Sequence, residues 1–564
     1  MFNINRHTKL SKLLLVWSLI LTLIVCHSYF QVGLPQTHDG SNHLARFANY
    51  KIAVKEGQFP PRLAPNLMNH YTYPVFNYNY PLANLLSLPF SALKISYETI
   101  FKLLSLLFLF FGGWGTAVMV ESFFYAQDEK KQHKSSISSW SIGLALVVYY
   151  SSVYLINLIF FRGSIGEIMA YGLWPWMINS VITKPKINVF NILLWTGWWL
   201  VHNVMAVFGW PILFLAALMN QNFKFNNLKK YLLLGLISLF ASLWFWLPAL
   251  AELNLISAGH SQIVSNSSSH LLRLGQLFFG QTQFGFSRTG SIDDISFALG
   301  ILQTCILVLG LSLLIFKIIF RQKKKKGRDI LLPLLAVAVV LLIFQLTVTK
   351  DIWIYFKPLQ IIQFPWRLGF FIPVFLSVLA VYIWQNLNSK LLKLLFILLS
   401  FGQIFQLIHI KPEALVHQSN ADWDAFPEST TTNNEDKPET FKYLLIGDWQ
   451  PAPFITNGDG ISTVGFWSGS RHTYNLQLAT EAVIIEPVMM FAGWQTTVNN
   501  KLVEYYDNDN IQGRLAYRLP AGEYKIESKF TQHTWSRMLG NMISLTTGIC
   551  ITIFFFLKKW RYDK

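Results

Sequence analysis

Two short stretches of the sequence hold side chains whose types and spacing could do chemistry. The first reads Thr37-His38-Asp39-Gly40-Ser41-Asn42-His43-Leu44-Ala45-Arg46. If a helix starts at Asp39, then Asp39, His43, Arg46 and Tyr50 stand at i, i+4, i+7 and i+11 and share one face. An acid, an imidazole and a guanidinium on one face suit a general base with anion-binding neighbours. The plainer reading is an aspartate capping a solvated helix, and spacing alone leaves both open. The second stretch, Phe161-Arg162-Gly163-Ser164-Ile165-Gly166-Glu167, sets Arg162 and Glu167 around two glycines. That would let backbone approach a ligand closely, and its plainer reading is an ion pair at a helix end.

Weaker signals accompany them. Pro60-Pro61-Arg62, Tyr73-Pro74 and Tyr80-Pro81 could build a rigid aromatic groove, or an ordinary aromatic belt at headgroup level. His202-Asn203 forms a polar pair between two short apolar runs. Gln363-Phe364-Pro365-Trp366-Arg367 offers Arg367 to a lipid-linked phosphate, or to the interface as a snorkelling cation. No Walker loop, dinucleotide-binding fingerprint, zinc spacing or internal repeat is present in the sequence.

These residues must be held by elements built for lipid. Of the 564 residues, 52% are hydrophobic and only 13% charged, and the mean hydropathy is +0.37. A soluble chain carries about a quarter charged residues. The net charge of +17 would suit nucleic acid if it were spread over one surface. It is gathered instead in short clusters between apolar runs, such as Lys130 to Lys134, Lys229 and Lys230, Arg321 to Arg328 and Lys558 to Arg561. That is the signature of cytoplasmic loops, and it argues against a nucleic-acid partner. Cys26, Cys305 and Cys550 all fall in apolar runs, so no disulfide framework is expected.

The expected architecture is an α-helical polytopic membrane protein with about twelve transmembrane helices. The spans are read near 13–30, 99–125, 140–160, 167–183, 187–201, 204–219, 231–250, 299–319, 330–347, 368–385, 391–409 and 540–557. Leu82 to Leu93 is short, contains Pro89, and reads as a helix lying in the interface. Residues 1–409 then form the transmembrane domain with a large outer loop at 31–98, and 410–538 an extracytoplasmic β-sandwich-like domain. Residues 539–564 form a last span and a cytoplasmic tail, with both termini in the cytoplasm. Strands are expected at Ala482–Met490, Trp494–Val498, Leu502–Tyr506, Gly513–Leu519 and Glu523–Phe530, and loops within 447–470. Ionisable groups collect at one membrane face, whereas a transporter or flippase would more often charge its midplane.

His38-Asp39-Gly40 with His43 and Arg46, Pro60-Pro61-Arg62, Arg162-Gly163 with Glu167, His202-Asn203 and Gln363 to Arg367 together resemble a bacterial family. Its members are the membrane proteins labelled 6-pyruvoyl-tetrahydropterin synthase-related. Their organisation is similar to that of GT-C glycosyltransferases and of YfhO-type proteins. The resemblance implies a bacterial plasma-membrane transferase. Such an enzyme moves a sugar from a polyprenyl-phosphate donor to an extracytoplasmic glycan, lipid or protein acceptor. It maps Asp39 to the reaction centre as general base and Glu167 to the second acid. His43 joins them as a catalytic neighbour. His38, Arg46, Arg62, Arg162, His202, Asn203, Gln363 and Arg367 are then assigned to substrate binding. Many relatives carry a second acid beside the first; here Gly40 follows Asp39, and one carboxylate is a poor divalent-ion site. No cofactor is therefore assigned, and a metal bridging Asp39 and Glu167 stands as the rival mechanism. A lipid-linked glycan flippase and a non-catalytic envelope assembly factor stand as rival functions.

Overall fold

A computed structural model describes residues 8–125, 138–183, 185–218, 225–260, 267–289, 293–320, 330–442, 449–506 and 511–562. The expected cytoplasmic clusters at 130–134 and 321–328 and the turn at 507–510 lie outside the described residues.

The chain is mostly helical, with a β-rich C-terminal region. Six described helices are long and apolar enough to cross a membrane: Tyr97–Phe124, Asn227–Ala251, Ile301–Ile319, Pro365–Asn386, Lys390–His409 and Trp535–Lys559. The helices Ser139–Tyr150 and Val153–Arg162, bent by 46° at the Ser151-Ser152 break, make a seventh if they are one broken span. The expected count of about twelve is not confirmed: Ile165–Ile182, eighteen residues long, is not among the six, and four other expected spans are short. Leu13–Val25, Val189–Val201, Asn203–Leu218 and Leu331–Ile343 are apolar but fall in the 10–17 residue class. At 1.5 Å per residue, thirteen residues reach about 20 Å, short of a hydrocarbon core of about 30 Å. Leu82–Ala92 is an eleven-residue helix with Pro89 inside it, as short as its sequence suggested.

The described chain divides into two compact units that are discontinuous in sequence. The first comprises Met1–Ser41, Phe101–Ser238 and Ile263–His417. Its interior is knitted by polar contacts between helices. The Tyr149 hydroxyl donates to the Tyr171 carbonyl at 2.9 Å, and Tyr171 returns the bond to the Tyr149 carbonyl at 2.8 Å. Ser377 donates to the Ala145 carbonyl, and Gln303 to the Val148 carbonyl and the Ser151 hydroxyl at the helix break. The helix Ile165–Ile182 lies directly against the Phe101–Tyr125 part of its neighbour. A Cβ on Gly172 would come within 2.1 Å of the Phe108 carbonyl oxygen, so only glycine permits this approach. Two short strands, β1 (Leu34–Pro35) and β2 (Leu415–Val416), pair antiparallel in this unit.

The second unit comprises Asn42–Ile100, Leu239–Gln262 and Gln418–Lys564. It holds the strands β3 (Phe454–Thr456), β4 (Gly460–Trp467), β5 (Arg471–Leu478), β6 (Ala482–Met489), β7 (Trp494–Val498), β8 (Lys501–Leu502), β9 (Arg514–Leu519) and β10 (Gly522–Phe530). They form a five-stranded sheet ordered β4-β5-β10-β7-β8 and a three-stranded sheet ordered β3-β6-β9. The loop expectation for 447–470 is corrected: β3 and β4 lie there. Their alternation is hidden because β4 is an edge strand, exposed along most of its length and interrupted by Gly465 with a bulge. The expected strand Leu502–Tyr506 shrinks to β8, after which Tyr506 returns one backbone bond to Ala516.

A buried carboxylate joins the two sheets. Glu486 of β6, fully buried, accepts from His472 and Tyr474 of β5 and from Ser528 of β10. The His472 ring is stacked between Trp467 at 3.8 Å and Trp494 at 5.2 Å. With every donor aimed at one carboxylate, losing the charge strands them in a dry interior. Glu486→Gln should therefore lower the stability of the β-rich region by about 2–4 kcal/mol. Glu481→Gln, at an exposed pair with Arg518, should stay within about 0.5 kcal/mol. Thermal unfolding with limited proteolysis of the full chain measures both.

Candidate functional site

The first unit gathers four of the sequence-selected residues around one carboxylate. Glu167 stands in the first turn of Ile165–Ile182, the helix fixed by the close approach at Gly172. It is fully buried. Arg162 meets it side-on, Nη1 to Oε2 at 2.5 Å and Nη2 to Oε1 at 2.6 Å, the bidentate geometry that a guanidinium makes with a carboxylate. The Tyr154 hydroxyl donates to Oε2 at 2.7 Å. Arg367 Nε stands 3.3 Å from Oε1, an ion-pair distance without hydrogen-bond alignment.

His202 faces the same oxygen. Its Nδ1 lies 3.4 Å from the Met205 backbone N–H and accepts from it. That leaves the ring proton on Nε2, which stands 3.6 Å from Glu167 Oε1. The cluster draws on residues from Tyr154 to Arg367, and all lie in the first unit.

Local backbone features explain these positions. Before Arg162 the helix widens into a π-turn over Leu158–Arg162, and Gly163 then takes the left-handed conformation at φ 63°. A Cβ on Gly163 would come within 2.1 Å of Thr37 Oγ1, so glycine is required twice over, by φ and by space. The His38 and Asp39 backbone N–H groups donate to the Phe161 and Arg162 carbonyls at 3.0 and 2.9 Å. Those two bonds pin the first motif to the second. On the other side, Pro365 opens a 3-10 turn at its first position and sets Trp366 and Arg367. Arg162 then lies over the Trp366 ring at 4.7 Å, and Arg367 over Phe364 at 5.2 Å.

Asp39 is half-buried and lies within electrostatic reach of Arg162. The helix starts at Gly40, one residue later than expected, with Thr37 Oγ1 accepting the Gly40 N–H. Among the described residues the Asp39 carboxylate accepts no hydrogen bond, so the plain capping role is not the one it performs. His38 stacks on Phe286 at 4.5 Å and meets Phe284 edge-on at 5.1 Å. Burial holds its imidazole below the usual 6.5, with Asp39 pulling up and Arg162 pushing down. A pocket beside the cluster shares Tyr154 and Trp366 with it. Its remaining walls are largely apolar, including Leu277, Phe297, Leu342 and Ile372, with Asn157 and Gln345 as polar groups.

The other selected residues stand elsewhere. Asn203 begins the helix that follows His202, and Gln363 is half-buried just before Phe364. His43, Arg46 and Arg62 belong to the second unit. His43 Nε2 pairs with the Tyr80 hydroxyl at 3.3 Å. Arg46 donates to the side chain and carbonyl of Thr430. Arg62 is fully buried and donates to the Trp244 carbonyl and to Gln532. Each of these three is held by its own partners in the second unit. Tyr154, Phe284 and Phe286 are site residues that sequence reasoning missed, and Trp366 was named beside Arg367 without a role of its own. A tyrosine inside an apolar run and aromatics in a Gly-rich loop give no distinguishing pattern.

The residues do not fit a divalent metal. Both Glu167 oxygens are engaged by guanidinium and phenol donors, which leaves Asp39 as a lone carboxylate. Among the described residues there is no group of three or more metal-ligating side chains.

Two outcomes follow from these electrostatics. Glu167→Gln removes the one negative charge between two guanidiniums, and should lower the stability of the first unit by about 3–5 kcal/mol, read by thermal unfolding in detergent. In the second unit, burial and then Glu435 push the Asp436 carboxyl up to about 8 from its ordinary 3.8, with Arg46 opposing. A folded carboxyl that keeps its proton when the unfolded one has lost it costs stability as pH rises between those values. Stability should therefore fall from about pH 4 to pH 8, and Asp436→Asn should flatten that slope in a pH series of melting temperatures.

Compared with known proteins, the chain matches no family model and no curated protein.

Proposed function

We propose that the chain is a membrane glycosyltransferase of GT-C type, taking sugar from a polyprenyl-phosphate donor at the outer face of a bacterial plasma membrane. The reading rests on one observation: two guanidiniums, Arg162 and Arg367, share the single buried carboxylate of Glu167, with the unbonded carboxylate of Asp39 beside Arg162. In the reaction, Asp39 takes the acceptor hydroxyl proton as the acceptor oxygen attacks the anomeric carbon. The bond from that carbon to the phosphate oxygen breaks, and the lipid phosphate leaves as an anion. Before the step, Asp39 and Glu167 balance the two guanidiniums. Once Asp39 is protonated, one positive charge is released to the departing phosphate, where it is most useful. Arg367, less deeply buried than Arg162, is the phosphate contact. Glu167 is a positioning residue whose engaged oxygens hold both guanidiniums and His202. The apolar pocket walls suit the isoprenoid end of the donor. About twelve crossings, counting the short apolar helices, and a sandwich arrangement of the two β-sheets to receive the acceptor belong to the same proposal.

A non-catalytic envelope factor is favoured by one observation: the Glu167 network is internally satisfied and would serve as a structural clamp. Asp39→Asn separates the two readings. It preserves shape and should insert normally, yet lose about 10²–10⁴ of the transfer rate. Glu56→Gln, in the second unit, should retain it. The measurement is the envelope glycan profile of cells lacking the chain, complemented with each variant at matched membrane levels. Wild-type glycan with Asp39→Asn moves the weight to the clamp.

A further inference from the structure

Arg62 is a fully buried guanidinium. Its Nε donates to Gln532 Oε1 at 3.2 Å and its Nη2 to the Trp244 carbonyl at 2.7 Å, both neutral acceptors. Nη1 is buried with no hydrogen-bond partner among the described residues. The carboxylate within electrostatic reach is that of Glu252, and its oxygens are already taken. Oε1 accepts from Thr534 at 2.7 Å and Ser536 at 2.6 Å. Oε2 accepts from Asn77 at 3.0 Å and from Arg537 through Nη2 at 2.7 Å and Nε at 3.1 Å. Two buried guanidiniums, Arg62 and Arg537, thus share one carboxylate, and each raises the cost of charging the other. Burial and then Arg537 push Arg62 down only to about 9, so it stays a cation at neutral pH.

A second donor lies nearby. Tyr50 is buried, its ring packed edge-on against Phe76 at 4.9 Å, and its hydroxyl has no hydrogen-bond partner among the described residues. Arg62 acts electrostatically on that phenol. An isolated buried charge with an unused donor is too costly to leave uncompensated.

We infer that Arg62 Nη1 and the Tyr50 hydroxyl hold a small monovalent inorganic anion, chloride being the abundant one, as the missing counter-charge of the Arg62–Glu252–Arg537 cluster. The surplus to be balanced is one unit of charge, which a monovalent anion matches and a dianionic phosphate would overcharge. This site is independent of the Glu167 cluster and of the transferase reading.

The test is thermal unfolding of the purified full chain in detergent, followed by tryptophan fluorescence. Chloride is varied over about 1–300 mM against gluconate at constant ionic strength. Wild type should gain roughly 2–4 °C per tenfold rise in chloride above half-saturation, and bromide should substitute for it. Tyr50→Phe, the milder change, should need about tenfold more chloride for the same gain, as expected for one lost donor. Arg62→Gln, if it folds, should lose the chloride dependence, while Arg518→Gln at an exposed site keeps it. Equal melting temperatures in chloride and gluconate for wild type would overturn the proposal. So would an unshifted chloride response in Tyr50→Phe.

Discussion

The first unit depends on the cost of burying charge. A carboxylate such as Glu167, taken fully out of water, costs several kcal/mol unless it is met by opposite charge and by hydrogen bonds to its remaining lone pairs. Here it is met by Arg162, Arg367 and Tyr154. That requirement makes many other features intelligible. The π-turn and left-handed Gly163 aim Arg162, and the glycine contact at Gly172 seats the helix bearing Glu167. Pro365 and the stacked Phe364 and Trp366 aim Arg367. Were Glu167 neutral, two guanidiniums would repel across a dry site and these backbone devices would hold nothing.

The same constraint recurs twice in the second unit with different solutions. Glu486 is met by an imidazole and two hydroxyls rather than by a guanidinium, and it fastens two sheets. Glu252 is met by Arg537, two hydroxyls and an amide. Around Glu167 a carboxylate that accepts no hydrogen bond among the described residues, Asp39, lies beside a cation already committed elsewhere. A spare acceptor of protons next to cations whose balance it controls is the arrangement that general-base chemistry uses.

Much of this was legible in the sequence, and the gaps have physical causes. Arg162 and Glu167 announced themselves as a charged pair around glycines in an apolar chain, and His202 and Arg367 as polar residues at the ends of apolar runs. Their convergence on one carboxylate was not visible, since it depends on tertiary contacts that bring His202 and the far more distant Arg367 to Glu167. Arg62 looked like Arg367 in sequence, an arginine after prolines, but one ends buried against a carbonyl and the other beside a carboxylate. Helical periodicity did place Asp39, His43 and Arg46 on one stretch, yet His43 and Arg46 found partners in Tyr80 and Thr430. Hydropathy registers an apolar run but not the helix breaks that shorten it, so six of the expected spans appear as long helices and others as short ones. In the β-rich region, β6 is a largely apolar run buried along its whole length, and β7 and β10 alternate in burial as strands should. The edge strand β4 does not, because an edge buries too little for alternation to be required.

The central claim is that Arg367 and Arg162 receive the phosphate of a lipid-linked donor. Equilibrium binding of a short-chain prenyl phosphate to the detergent-solubilised chain, read by tryptophan quenching, tests it most directly. The account expects saturable binding that Arg367→Ala weakens about tenfold or more, that falls with added salt, and that a prenyl alcohol of equal length does not reproduce. Binding of the alcohol as tight as that of the phosphate, or an Arg367→Ala variant that binds unchanged, would contradict it.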